Sequence, residues 1–391
     1  MKKVDRGLNC EFDQDTHHSK LSLILIGLTM LVLGVPAFSG TDPGQSQTDS
    51  QLSPANLPQR FAEREPAEAV SLLASALDEN RPVDNQQLLD AAREHFMGRT
   101  DDTATANAMA GYLSIGEDEP TGLTFRVGQG GRIESPPSMR IAVLDWLSDI
   151  DGDEALTISR EILELAEDAE EAAVALRNLG RHPEVARSGE FLHYTLAFVS
   201  NPQWLEQPSA GFFEGFDALA YSQAYDHLDV LVSIAKNHPN LTGFLAILMD
   251  TMIQNDRGAV YPLLMDLPIF GNEFRSMRAV WFARADVRDA NQKKALELYL
   301  KDSSVTVEEK KRFLELFPLF TRSTAPRLLT EDHLLSIAEM VSIDHASIKF
   351  FEYHSAELER KGLGPSIQGL KERLGVFVSR VKTKNHTSPR Q

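Results

Sequence analysis

Residues 155–179 read ALTISREILELAEDAEEAAVALRNL. Ile158, Ile162, Leu165, Ala169, Ala172 and Leu176 recur at intervals of three and four, which lines them along one face of a helix and leaves the charged residues on the other. Asp168 interrupts the run as a helix-starting residue, so two helices are expected here. The same spacing returns at Val70, Leu73 and Leu77, at Leu241, Leu245, Leu248 and Met252, and at Leu334, Ile337, Ala338 and Val341. Short breaks at 178–183, 236–239, 256–258 and 362–365 separate the runs, as antiparallel helix neighbours require. The expected fold is all-α: an array of antiparallel helix pairs, α-solenoid-like, over residues 60–391.

Internal repetition points the same way. Met139-Arg140 and Met277-Arg278 each open a helix containing Ala-Val and Trp, followed by an Asp-rich turn and an Ala-Leu helix, with spacings that differ by two residues. At this level the chain resembles HEAT-type helical-repeat proteins from about Leu57 to its C-terminus; the Trp/Leu-Gly/Tyr pattern of tetratricopeptide units is missing. The resemblance implies a curved scaffold that binds partners, and it transfers no functional residue.

One stretch breaks the helical pattern. Residues 116–137, GEDEPTGLTFRVGQGGRIESPP, hold five glycines and three prolines. Leu123, Phe125 and Val127 alternate with Thr124 and Arg126, and Gly128-Gln-Gly-Gly turns the chain back through Ile133. A short β-hairpin near 123–134 is expected inside this insertion. Such an insertion in a helical array is either a functional lid or a disordered loop.

The N-terminus sets the address. Residues 21–38, LSLILIGLTMLVLGVPAF, carry no charge; Lys2, Lys3, Arg6 and Lys20 precede them, and no Lys or Arg follows until Arg60. That asymmetry places residues 1–20 in the cytoplasm and everything after Gly40 on the periplasmic or extracellular side. Two fates fit residues 21–39. Ala37-Phe38-Ser39 supplies small residues at a signal-peptide cleavage site before Gly40, and Val35-Pro36-Ala37 overlaps it. Retention as a single N-terminal transmembrane anchor suits the long leading segment, with an apolar run of about 18 residues. Residues 40–59, rich in Gln, Ser, Thr and Asp with three prolines at 43–58, read as a flexible linker. The single cysteine, Cys10, precedes the apolar run, so the outer part has no thiol, disulfide or Cys-ligated metal. A formal charge of -18 argues against nucleic acid as a partner of the body.

Candidate chemistry is sparse. Asp149-Ile-Asp-Gly-Asp resembles the opening of a calcium loop, but Glu154 stands where the turn needs Gly and Arg160 where a bidentate Glu belongs. A helix cap by Asp151 or Asp153 accounts for the stretch better. Asp-His occurs at 226–227, 332–333 and 344–345, each read as a helix start rather than an acid–base pair. HExxH, GxSxG, a Walker lysine and CxxC are all missing, so no catalytic residue, metal or cofactor is expected. The densest aromatic region, 201–225, contributes Trp204, Phe212, Phe213, Phe216, Tyr221 and Tyr225, with Glu206, Glu214 and Asp217 interleaved. These six aromatics are the candidate binding residues, and helix core is the competing explanation, since Phe212/Phe216 and Tyr221/Tyr225 have i,i+4 spacing.

Residues 361–391 carry seven basic side chains against Glu372 alone, beside an apolar stripe of Ile367, Leu370, Leu374, Phe377 and Val381. An end-capping helix is expected there, with membrane or acidic-surface docking as the rival. Taken together, the expectation is an exported or membrane-anchored scaffold that binds a protein or polymer partner without catalysis. The alternative is a helical hydrolase or lyase with carboxylates near 206–217.

Overall fold

The structure is a computed structural model that describes residues 60–387, apart from 62, 256, 267–270, 321–326 and 331–334. The apolar run at 21–38, the linker and Cys10 lie outside the described residues; among those described, no helix is long and apolar enough to cross a membrane.

Helices dominate. The first three are α1 (Pro66–Ala76), α2 (Pro82–Met97) and α3 (Asp102–Ile115). After a hairpin come α4 (Met139–Ile150), α5 (Gly152–Leu165), α6 (Ala169–Arg181) and α7 (Gly189–Val199). Three short helices follow, α8 (Pro202–Glu206), α9 (Ala210–Gly215) and α10 (Asp217–Tyr221), then α11 (Leu228–Asn237), α12 (Thr242–Asn255) and α13 (Arg257–Asp266). The chain continues through α14 (Gly271–Ala283), α15 (Ala290–Lys301) and α16 (Val307–Leu316) to two long helices, α17 (Ile337–Arg360) and α18 (Gly364–Thr387).

Their contacts make two layers. One runs α2–α4–α6–α9/α10–α12–α14–α16–α18, each member packed on the next; α1–α3–α5 and α13–α15 stack in the other. Sequential neighbours such as α5 and α6, or α17 and α18, pack across the layers. This is the helix-pair array expected, and one continuous apolar core runs along it.

Local chemistry sets the boundaries. Asp151 accepts from Glu154 N and so starts α5, while Asp168 accepts from Glu171 N and starts α6. Asp289 caps α15 through Gln292 N, and Thr306 caps α16 through Glu309 N, at the same offset along the chain. The clamp that ties each unit together also repeats. Arg140 Nε donates to Glu171 at 2.9 Å and Arg278 Nε to Glu309 at 2.6 Å, both pairs 31 residues apart. The two units are therefore in register at their caps and clamps, although Arg278 sits inside α14 rather than opening it.

Three sequence expectations need correction. Gly180 was expected within a helix break, yet α6 continues through Arg181. Ile337 is 62% exposed, and α17 instead buries Ile343, Phe350, Phe351 and Leu358, the face that α18 covers. Asp344-His345 starts no helix, since Asp344 lies buried two turns inside α17; Asp332-His333 and Leu334 fall outside the described residues.

The insertion is ordered and is not a free loop. Strands β1 (Arg126–Val127) and β2 (Ile133–Ser135) pair antiparallel, Arg126 opposite Ser135 and Val127 opposite Ile133, with a bulge between. The strands are shorter than expected because residues 123–125 do not pair. The feet of the insertion are tied: Thr121 N donates to Pro137 O at 2.9 Å and Met139 N to Glu119 O at 2.9 Å.

Candidate functional site

The hairpin lies on the layer that contains α2, α4 and α6. Asn85 of α2 donates to Thr121 O at 2.8 Å, and Gln86, also on α2, donates to Glu134 O at 3.0 Å. From α4, Asp145 accepts from Ile133 N at 3.3 Å; from α6, Arg177 donates to Gly131 O at 2.9 Å and Arg181 to Gly130 O. β1 also packs on α9. Four members of the layer thus hold the insertion, chiefly by bonds from side chains to its backbone.

Beneath the turn sits a buried ion pair. Arg177 is 0% and Asp145 2% exposed, and they bond directly. Arg177 also donates to Asn178 Oδ1 at 2.7 Å. Arg177 is thus well supplied with acceptors, whereas Asp145 Oδ2 has no hydrogen-bond partner. Asp250 and Arg284 form a comparable buried pair between α12 and the end of α14, with Oδ2 accepting at 2.9 Å.

A second non-helical segment rests on the same layer. Residues 327–330, Arg-Leu-Leu-Thr, form a strap that reaches back to α9 and α10. Arg327 N donates to Glu214 Oε2 at 3.0 Å. Leu329 N and Thr330 N both donate to Asp217 Oδ2 at 2.7 Å, and Thr330 Oγ1 to Asp217 Oδ1 at 2.6 Å. Leu328 is fully buried. Its carbonyl oxygen lies where a side chain on Gly131 would be, 2.0 Å from an ideal Cβ there; Gly131 has φ +71, which also favours glycine. The Leu329 side chain lies close to Gly180, whose Cβ would meet its two Cδ atoms at 2.8 and 2.9 Å. Glycine inside a helix costs about 1 kcal/mol against alanine, and the close approach of Leu329 gives Gly180 a reason to be there.

Electrostatics mark the carboxylates out. Burial pushes Glu214 up to about 7, opposed by its bond from Arg327 N and reinforced by the nearby Asp217 charge. Burial pushes Asp217 up to about 6 against the pull of the Thr330 and Leu329 bonds. Glu206 does not join them, being exposed, with His238 Nδ1 3.9 Å away.

The six aromatics occupy the floor behind this seat. Trp204, Phe212, Phe216 and Tyr225 are buried; Tyr221 is 37% exposed and Phe213 is half-buried. The rings pack on each other: Phe212 lies 5.0 Å from Phe216 edge-on, Phe213 lies 4.5 Å from Phe244, and Tyr221 meets Phe191 edge-on. Their role here is to fix α9 and α10, and hence Glu214 and Asp217, against α7 and α12. The part of the seat under the strap that Gly131 and Gly180 form is not legible in the sequence. Gly180 inside an otherwise helical run was the one available signal.

Among the described residues no group of three His, Cys, Asp or Glu could hold a metal ion, and Asp149 pairs with Arg93 at 2.7 Å. A polar cleft of about 640 Å³ between α14 and α16 mixes Arg275, Arg278 and Arg312 with Asp302, Glu308 and Glu309, so its charges offset one another. Comparison with protein-family models, with curated proteins and with solved structures gives no match, so no relative's chemistry transfers to these residues.

Proposed function

We propose that the chain is an exported or membrane-anchored scaffold, HEAT-like in its repetition, that binds a protein or polymer partner along the α2–α4–α6–α9 face. One observation carries this: that face already holds two non-helical segments, the hairpin and the strap, through side-chain bonds to their backbones. A surface that satisfies irregular backbone in this way has the chemistry to hold a partner's. The export half of the proposal rests on the uncharged run 21–38 and the missing Lys and Arg up to Arg60. A reporter fused after Gln59 is expected to be active only outside the cytoplasm, and cytoplasmic activity overturns the orientation.

The binding half is tested by photo-cross-linking in the exported chain. A cross-linker at Asp149, exposed on α4 of the proposed face, should give partner adducts. At Ile115, Leu165 or Leu298, exposed on the other layer, it should not. Equal yields from both layers remove the reading.

A second reading keeps the hydrolase or lyase alternative, because Glu214 and Asp217 are neighbouring carboxylates held partly protonated near neutral pH. In the structure Asp217 has both oxygens engaged by the strap, so catalysis requires the strap to leave. Turnover of a peptide or polysaccharide that E214Q and D217N both abolish would establish it.

A further inference from the structure

The strap is held unlike an ordinary loop. Three of its four backbone N–H groups are bonded by side-chain carboxylates, and those carboxylates lie 112 or 113 residues away in sequence. Backbone bonds of this kind accept any peptide that bends as the strap does at Leu328 and Leu329. Selectivity is added by the side chains. Position 328 is enclosed, position 329 lies over a glycine that leaves it room, and position 330 donates a hydroxyl to Asp217 Oδ1. At position 327 the positive charge of arginine acts on Glu214 and Asp217 together.

We infer that Arg327–Thr330 stands in for an external ligand, and that the seat formed by Gly131, Gly180, Glu214 and Asp217 takes a peptide bent as the strap is, carrying a basic residue, two aliphatic residues and a hydroxyl residue in succession. This rests on the reading of the same face as a partner-binding surface, and names the partner's class. The strap then sets a threshold. Being tethered, it competes at an effective concentration in the millimolar range, so an external peptide binds well only when it brings further contacts or when the strap is weakened. Asp217 is the selective element: it bonds two successive N–H groups and the hydroxyl at once, which no proline at those positions and no valine at the last can satisfy.

The test uses the full chain and a fluorescent peptide containing Arg-Leu-Leu-Thr. Wild type should bind it weakly. A chain weakened in the strap by T330G, or by L328S with T330G, should bind at least tenfold more tightly. Adding D217N should remove that gain, and a peptide with Val in place of Thr should lose at least fivefold. If the weakened chains keep the wild-type circular dichroism and melting yet ignore the peptide, the strap is a structural tie and the proposal fails. If they do not fold, wild type decides: excess peptide should speed amide exchange at Leu329 and Thr330 by displacing the strap, and unchanged exchange overturns the inference. Cross-linking on the face without peptide binding would remove the peptide class alone. Peptide binding without cross-links would instead remove the wider partner-binding reading.

Discussion

Replacing Arg177 with methionine keeps roughly the volume of the side chain and removes its charge. Asp145 is 2% exposed, and its Oδ2 has no hydrogen-bond partner even in the intact protein. Without Arg177, Oδ1 keeps only the 3.3 Å bond from Ile133 N. The substitution therefore leaves a carboxylate in the core with one long hydrogen bond, and strips Gly131 O and Asn178 Oδ1 of their donor. Breaking a buried pair from one side costs about 3–5 kcal/mol, a large share of the roughly 5–15 that holds a domain together. The double substitution R177M/D145L removes both ions and should recover most of that loss, since an apolar pair of similar volume is often neutral or better. Urea unfolding followed by circular dichroism reads both values, provided the slope is unchanged between variants. A loss below about 1 kcal/mol for R177M would refute the reasoning, because it would mean that water reaches Asp145.

Glu214 and Asp217 bind protons more tightly when folded, at about 7 and about 6, than in an unfolded chain. Between about pH 4 and 7 the folded state thus holds the extra protons, and stability should fall as pH rises through that window. Urea midpoints at pH 5 and 8 should show the fall in wild type and a smaller one in E214Q; an unaltered slope in the variant refutes the assignment. G131A should cost more than about 2 kcal/mol, because its Cβ meets Leu328 O, whereas G130A, with open space around it and a similar positive φ, should cost only the left-handed strain of about 1–2. Equal thermal destabilisation by the two would show that the strap does not press on the turn. Deleting 363–391 exposes the core around Ile367, Leu370 and Leu374, which are buried, and should cost on the order of 5 kcal/mol and promote aggregation. An unchanged melting temperature would mean that α18 is a docking arm.

Amphipathic helices were legible because their signal is local. The faces of α5 and α6 could be read from Ile158 to Leu176, although Leu165 at the end of α5 is 70% exposed. In α17 the readable stripe began too early, because which face is buried depends on α16 and α18, whose positions no short window contains. The hairpin was visible as alternation, but its bulge and the short pairing were not. The aromatics of 201–225 stood out by density, yet what they position is two carboxylates that meet a segment 112 or 113 residues further on. Only the folded chain brings these together. The roles of Gly131 and Gly180 are invisible for the same reason, since each is defined by an atom of the strap that comes close to it.

Arrays of stacked helix pairs ordinarily fold by spreading from neighbour to neighbour, and their ends fray independently. The contact of Leu328 with Gly131, and of Thr330 with Asp217, joins a late turn of the chain to units laid down much earlier. Such a closure is a long-range event whose loop entropy is met only after the intervening helices have formed, so it belongs late in assembly. Once made, it binds α6 through α16 into one cooperative block, and that block should unfold in a single transition while α1 and α18 on its flanks open and close on their own.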